Sequence, residues 1–267
     1  MTPIQLVVRK FFIALSKSSN MVKPAVLIAL HSSGRKFLIK DPSQDYHMQF
    51  GYLSAKELKK VKGGAELLSN TGEAFWVFPA MFLDLYMKIK RDAQIIPLKD
   101  VGAIITQAGI GKNSLVVDAG SGSGAMCCFL ANIAKKVVSY DIREDFHRVV
   151  QQNKHMLGLK NLTLKLKNIY DGIDEKNVDA LILDLPEPWK ALDSAAKALK
   201  HGGFIVSYSP TIPQVSDFTE AARKHKEFIV LRTIELIERD WELLDRKVRP
   251  KSQQIGHSGF LTTVRRK

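Results

Sequence analysis

Residues 115–124, Leu-Val-Val-Asp-Ala-Gly-Ser-Gly-Ser-Gly, constrain this chain more than any other stretch. An apolar run closes on an acid, three glycines follow at alternate positions, and a helical pattern begins near Ala125. Glycine lets the main chain turn sharply and lets a ligand approach it with no side chain in the way. The same alternation recurs downstream. Lys136–Asp141 reads as a strand with a helix to about Leu157, and Val178–Asp184 as a strand with a helix over about Trp189–Leu199. Gly203–Tyr208 reads as a strand with a helix from about Gln214. Unbroken apolar strands alternating with helices predict a parallel sheet covered on both faces. Phe228 to about Glu238 and Gly259–Val264 read as two further strands with no helix between them, which predicts an antiparallel closing pair.

The chain before this region has a different grain. Residues 23–80 predict a small β-rich domain, with strands at Val26–Leu30, Lys36–Lys40 and Phe75–Phe78 and a turn at Ser33-Gly34. Met81, Leu85 and Ile89 recur at helical spacing, and Val101, Ile104 and Ile105 start a second helix beyond Pro97. Residues 81–267 are thus the larger domain. Residues 1–22 predict a basic, disordered extension whose apolar run, Phe11 to Leu15, is too short for a secretory core.

Charge narrows the partner. Forty Lys and Arg face 27 Asp and Glu, a formal net of +13. Such a field attracts polyanions, nucleic acid first and an anionic membrane surface second, although a lysine-rich solvated surface has the same composition. Basic clusters fall at Lys56, Lys59, Lys60 and Lys62 and at Arg246-Lys-Val-Arg249-Pro-Lys251. No apolar stretch reaches the ~18 residues of a membrane span. The two cysteines, Cys127 and Cys128, are adjacent and cannot form a disulfide framework, which suits a reducing cytoplasm. No metal-ligand spacing and no Ser-His-Asp arrangement is visible.

In an open α/β sheet the ligand lies beyond the carboxyl ends of the strands. Gly120, Gly122 and Gly124 are spaced Gly-x-Gly-x-Gly, unlike the Gly-x-Gly-x-x-Gly of dinucleotide enzymes, and Asp118 precedes them by two positions. Asp141 closes the next strand at the distance where a carboxylate receives ribose hydroxyls. These parts fit S-adenosyl-L-methionine, which has an ammonium, a sulfonium and a ribose diol but no phosphate. Asp118 suits the ammonium end and Asp141 the diol. The plain alternatives are an ordinary tight turn and a solvated carboxylate at a strand end. Asp184-Leu-Pro-Glu-Pro-Trp189 ends a later strand at the same edge, where prolines hold a carboxylate rigidly. Its alternative is a helix N-cap.

Four segments together, Val117–Gly124, Asp184–Trp189, Ser207-Tyr-Ser-Pro210 with Gln214, and Gly256-His-Ser-Gly-Phe260, resemble the tRNA adenine-N1 methyltransferases. The stretch Lys90–Asp100 is similar to the segment that leads into that family's catalytic domain. The resemblance covers about residues 25–265. It implies a Rossmann-like class I methyltransferase domain with a seven-stranded, mostly parallel sheet and an antiparallel C-terminal strand, preceded by a small N-terminal β domain. It implies methylation of adenine 58 of tRNA, and in archaeal members also 57, by a homotetramer. By position, Gly120, Ser121, Gly122 and Gly124 fall around the methionine moiety, Ser123 and Ala125 are cofactor-binding as well, and Gln94 lies against the cofactor. Asp141 falls on the ribose, Asn168 and Ile169 beside the cofactor adenine, and Asp184 facing both the cofactor and the target adenine. Two departures stand out: Asn168 replaces the usual acid, and the tyrosine that usually precedes Pro-Lys-Asp is absent, the order here being Ile96-Pro97-Leu98-Lys99.

Adenine N1 is hidden in pairing, so the base must be exposed or flipped. N1 becomes cationic on methylation, and a carboxylate stabilises that developing charge. Asp184 is the candidate catalytic residue. Trp189, Tyr208 and His257 fit packing and support as well as substrate contact. Competing readings are a methyltransferase acting on another RNA, a protein or a small molecule, and a non-catalytic RNA-binding subunit.

Overall fold

Alternation of inward and outward residues builds the first sheet. In the computed structural model, which describes residues 26–244 and 246–267, the N-terminal unit runs through β1 (Leu27–His31), β2 (Lys36–Ile39), β3 (Tyr46–Met48), β4 (Gly51–Leu53), α1 (Ala55–Leu58), β5 (Ala65–Leu68) and β6 (Ala74–Pro79). Four strands pair antiparallel in the order β2-β1-β6-β5, and β3 and β4 form a separate hairpin. Phe75 and Val77 point into a core with Leu27, Ala29, Ile39, Leu53 and Leu58, while Trp76 and Phe78 point out. The extension expected over residues 1–22 lies outside the described residues.

The chain divides between Leu85 and Tyr86, a few residues beyond the boundary read at 80. Helix α2 (Phe82–Tyr86) stops short of Ile89, which the spacing had placed on the same helix. Four residues beyond the helix end, the main chain at Lys90 is captured from both sides by the Asn153 amide, at 2.8 and 2.9 Å, which holds it out of helix.

The second unit continues through α3 (Leu98–Gln107), β7 (Leu115–Ala119), α4 (Ala125–Ala131), β8 (Lys136–Asp141), α5 (Glu144–Met156), β9 (Leu162–Leu166), β10 (Val178–Leu183), α6 (Leu192–Ala198), β11 (Leu199–Ser209) and α7 (Ile212–Lys224). It ends with β12 (Phe228–Glu235), a hairpin of β13 (Trp241–Leu244) and β14 (Lys247–Pro250), and β15 (Phe260–Arg266). Seven strands form one sheet in the order β12-β15-β11-β10-β7-β8-β9. β9, β8, β7, β10 and β11 are parallel, and β15 runs antiparallel between β11 and β12. The expected class I methyltransferase architecture is therefore present, and β12 with β15 is the expected closing pair.

Alternate residues of each strand feed two cores. Val116, Val137, Ile182 and Val206 pack on one face, and Val117, Val138, Leu181 and Ile205 on the other. Full burial of such a side chain contributes ~1.5–3 kcal/mol. Cys127 and Cys128 are free and buried. Several elements go beyond those expected from the sequence: β3, β4, α1, β5, β9 and the β13–β14 hairpin, while β11 starts at Leu199 instead of Gly203. The predicted helix at Trp189 begins as a 3-10 turn, Pro188–Ala191, before α6. Chain order departs from β7 in both directions, to β8 on one side and β10 on the other, which makes their carboxyl ends the switch point where ligands bind.

Candidate functional site

The glycine turn fills the gap between the tips of β7 and β10. Gly120, Gly122 and Gly124 have φ of 89, 49 and 81°. A Cβ on Gly120 would run into the Asp184 carbonyl oxygen, and one on Gly124 would lie 2.7 Å from a methyl of Val150 on α5. The bare turn is thus required twice, by conformation and by space. The Gly120 N–H donates to Tyr140 O at 3.0 Å and the Asp184 N–H to Ala119 O at 2.9 Å, so three strand tips are tied through it.

Three acids surround the turn and differ in environment. Asp141 is pre-oriented: one oxygen accepts the Gly122 N–H at 3.0 Å and the other the Arg143 N–H at 2.9 Å. Asp118 is 1% exposed and lies beneath the turn, where it accepts from the Ser139 hydroxyl at 2.5 Å. Ser139 is in turn 2.6 Å from the Ser121 hydroxyl, which completes a buried chain of three polar groups. Burial pushes Asp118 up to about 7, opposed by the Ser139 hydrogen bond and reinforced by the charges of Asp184 and Asp141. Burial also pushes Asp184 up to about 6. Among the described residues none donates a hydrogen bond to the Asp184 carboxylate. It does not cap the following turn, whose cap position is Glu187.

Two cavities meet at Asp184. The larger, about 360 Å³, is lined by Gly120, Asp141, Asn168, Ile169 and Asp184, with Phe146 and Leu185 among its apolar walls. The smaller, about 200 Å³, is lined by Gln94, Ile96, Asp184, Tyr208, Pro210 and Ser258. The structure therefore gathers five of the expected residues around one cavity and places Gln94 on the other. Asp118, Ser121, Gly122, Ser123, Gly124 and Ala125 line neither cavity and lie in the strand end, the turn and the helix start beside them. Asn168 heads the 3-10 turn Ile169–Asp171, and its Oδ1 accepts the Tyr170 N–H at 3.0 Å. The oxygen expected to face the cofactor adenine thus already holds one donor and keeps one lone pair.

The supporting residues were less legible. The Ser123 hydroxyl accepts the N–H groups of Asp92 and Ala93, both at 2.9 Å, and the Asn153 amide donates to Ser123 O at 2.8 Å. Asn153 thereby fastens the segment that carries Gln94. Its signal was an amide on the inward face of α5 beside Val149 and Val150. The Lys99 ammonium reaches Asp100, Ser258 and Leu236 O at 2.7–2.9 Å, and the Ser258 hydroxyl donates to Asp100 at 2.7 Å. Tyr208 donates to Ser258 O at 2.5 Å, so its hydroxyl is satisfied while its ring lines the smaller cavity. Ile96, at the position a tyrosine usually holds, packs in the core. Gln214 donates to Pro186 O at 3.1 Å and fixes the backbone next to Asp184. His257 bridges Glu235 and Pro210 O, contacts that raise its pKa, and acts as a support. Trp189 packs against the core. Among the described residues no group of three or more His, Cys, Asp or Glu could hold a metal ion. No helix there is long and apolar enough to cross a membrane.

The family described as tRNA methyltransferase complex GCD14 subunit matches residues 84–258. The chain is 33% identical to the tRNA (adenine(57)-N(1)/adenine(58)-N(1))-methyltransferase TrmI of Methanocaldococcus jannaschii, over 90% of this chain and 95% of that protein. It is 31% identical to the tRNA (adenine(58)-N(1))-methyltransferase TrmI of Thermus thermophilus, over 92% and 98%. Among solved structures it is similar to a SAM-dependent O-methyltransferase from Thermotoga maritima, with TM-score 0.82, 28% identity and coverage of 94% and 96%. It is also similar to the tRNA (m1A58) methyltransferase TrmI from Aquifex aeolicus, with TM-score 0.78, 25% identity and coverage of 93% and 99%. By sequence and by architecture, this chain belongs to the tRNA methyltransferase complex GCD14 subunit family and carries the class I S-adenosylmethionine-dependent methyltransferase fold.

Proposed function

We propose that this chain methylates N1 of adenine 58 in the T-loop of tRNA, using S-adenosylmethionine, with adenine 57 as the second candidate acceptor. The observation that carries the reading is that one carboxylate, Asp184, lines two adjoining cavities. The larger has the donor set for the cofactor. Asp141 offers fixed acceptors to a ribose diol, Ile169 and Phe146 offer apolar walls to adenine, and Gly120 offers bare main chain. When bound, the cofactor supplies an electrophilic methyl group on a sulfonium.

The chain's own residues then have simple tasks. Asp184, ionised, accepts a hydrogen bond from the exocyclic amine of the target adenine and stabilises positive charge developing on its ring. Having no donor of its own, it is ready for one. Gly120 and Gln214 hold its backbone, and Asn153 and Ser123 hold the wall that carries Gln94, so the barrier falls through alignment. Asp118 supports the turn from below, through Ser139 and Ser121, and reaches the ammonium end of the cofactor through that turn.

The net charge of +13 supports a polyanionic substrate. Lys56, Lys59, Lys60 and Lys62 are exposed and fit phosphate contacts. Trp241, Leu243 and Val248 on the β13–β14 hairpin are 53–72% exposed, which supports self-association and fits a homotetramer. Free buried cysteines fit a cytoplasmic protein. A methyltransferase with another substrate is the second reading, favoured by the likeness to the Thermotoga O-methyltransferase. Labelled methyl transfer to tRNA transcripts with single substitutions at 57 and 58 separates the two. Label lost only when position 58 is changed is the expected result, and no transfer to any transcript defeats the reading.

A further inference from the structure

At the amino ends of the parallel strands, on the edge of the sheet away from the glycine turn, lies a cavity of about 360 Å³. Ser114, Asp179, Lys200, His201, Phe204 and Arg265 are on its wall. Its shape comes from an irregularity in β11. Leu199 pairs with Val178 and Phe204 with Ala180, so residues 200–203 have no room in the register and loop outward. Gly202 has φ of 78°, and a Cβ on Gly203 would lie 2.9 Å from Lys200 O. Such a bulge re-aims the side chains it carries. Lys200 and His201 are turned to the cavity in this way.

Two cations are held in place there. The Arg265 Nε–H donates to Gly202 O at 3.1 Å, and the guanidinium carbon sits 4.9 Å from the centre of the Phe204 ring. Its position is thus fixed by one hydrogen bond and one stack, while its two terminal nitrogens have no partner among the described residues. Lys200 pairs with Asp179, whose second oxygen already accepts the Leu115 N–H at 2.7 Å. His201 is bonded to the main-chain oxygen of Lys267. One carboxylate, with both oxygens engaged, thus shares the cavity wall with an ammonium and an anchored guanidinium whose terminal donors have no partner among the described residues. That arrangement suits a tetrahedral oxyanion, which accepts two parallel N–H bonds from a guanidinium and a point charge from a lysine.

We propose that this cavity binds a phosphate group, with Arg265 as the bidentate donor and Lys200 as the second cation. The phosphate belongs either to the backbone of the RNA substrate or to a free mononucleotide. The RNA source rests on the tRNA reading above, whereas phosphate binding itself does not.

The test uses the full chain, Arg265→Gln, Lys200→Gln, and Arg265→Lys, which keeps charge but loses the fork. Lys200→Gln leaves the Arg265–Phe204 stack intact and guards against a folding defect. Each protein is titrated with inorganic phosphate and with AMP at matched ionic strength, following melting temperature, and with tRNA over a salt series. Phosphate should raise the melting temperature of the parent, and Arg265→Gln should abolish that rise. For an RNA source, Arg265→Gln should weaken tRNA binding by ~3–10-fold and reduce the slope of log affinity against log salt by about 1. A melting effect of AMP with tRNA affinity unchanged assigns the site to a free nucleotide. If neither phosphate nor AMP stabilises the parent and the tRNA salt slope is the same in all proteins, the proposal is overturned. Loss of methyl transfer to tRNA by the parent, with phosphate binding intact, would instead remove only the tRNA reading.

Discussion

Gly120 and Asp184 touch across the tips of β7 and β10, and the volume a methyl group would need on Gly120 is occupied by the Asp184 carbonyl oxygen. The glycine turn and the carboxylate proposed for catalysis are thereby one mechanical unit. Gly120→Ala should push the two apart and also adopt a φ that costs an L-residue ~1–2 kcal/mol. The variant turn escapes that strain when empty and must take it up again to bind, so cofactor affinity measured by calorimetry should fall ~5–30-fold. Affinity within twofold of the parent would show that the tips are not rigid.

Asp184→Asn should preserve cofactor binding within a few-fold and reduce turnover by ~10²-fold or more, the scale for losing one preorganised electrostatic group. Steady-state kinetics with saturating tRNA decides it. Near-parental turnover would take Asp184 out of the chemistry.

The pH dependence follows from the same carboxylate. Its pKa is raised to about 6, so the ionised form dominates only above that value. The kcat/KM of the parent should climb as pH rises through about 6 and then level off. That limb should be missing in Asp184→Asn. A flat profile between pH 5 and 8 in the parent contradicts the assignment.

Asp118 gives a stability test with its sign set by linkage. Burial raises its pKa from 3.8 to about 7, so the folded state binds a proton that the unfolded chain releases. This group favours the fold at low pH, and the advantage is lost as pH rises from about 4 to about 7. Asp118→Asn removes the titration, so its melting temperature relative to the parent should increase between pH 5 and pH 8. An unchanged difference over that interval would place an ionised, well-compensated carboxylate at this position.

Lys99→Met leaves the fully buried Asp100 without its ammonium partner. Breaking one side of a buried pair costs ~3–5 kcal/mol, and removing the second charge recovers part of that cost. Denaturant unfolding of Lys99→Met, Asp100→Leu and the double variant measures this. A double variant as unstable as the sum of the two single changes would mean that the pair contributes no coupling.

Where side chains repeat with a simple period, the fold was legible. The apolar runs at 115–119, 136–141 and 178–183 are strands because both faces of the sheet are buried. Strand β9 escaped because Thr163 and Lys165 interrupt a short run, and at the edge of the sheet they face less core. The β13–β14 hairpin escaped because Trp241, Leu243 and Val248 are its exposed residues, so no buried stripe marks it. The site divides along the same line. Glycines and acids at strand ends announce themselves by type and position. Asn153, Ser139 and Ser258 act through hydrogen bonds to segments remote in the chain, and a linear sequence holds no record of those distances.

β15 comes last in chain order, yet it occupies an interior place in the sheet, between β11 and β12. During synthesis β12 leaves the ribosome without a neighbour, and β11 presents an open hydrogen-bonding edge until residues 260–266 arrive. Two unpaired edges on a nascent chain are templates for pairing with other molecules. Closure of the sheet therefore waits on the last strand: a product cut short before Phe260 would keep its glycine turn and Asp184 but leave β11 and β12 without the strand that joins them.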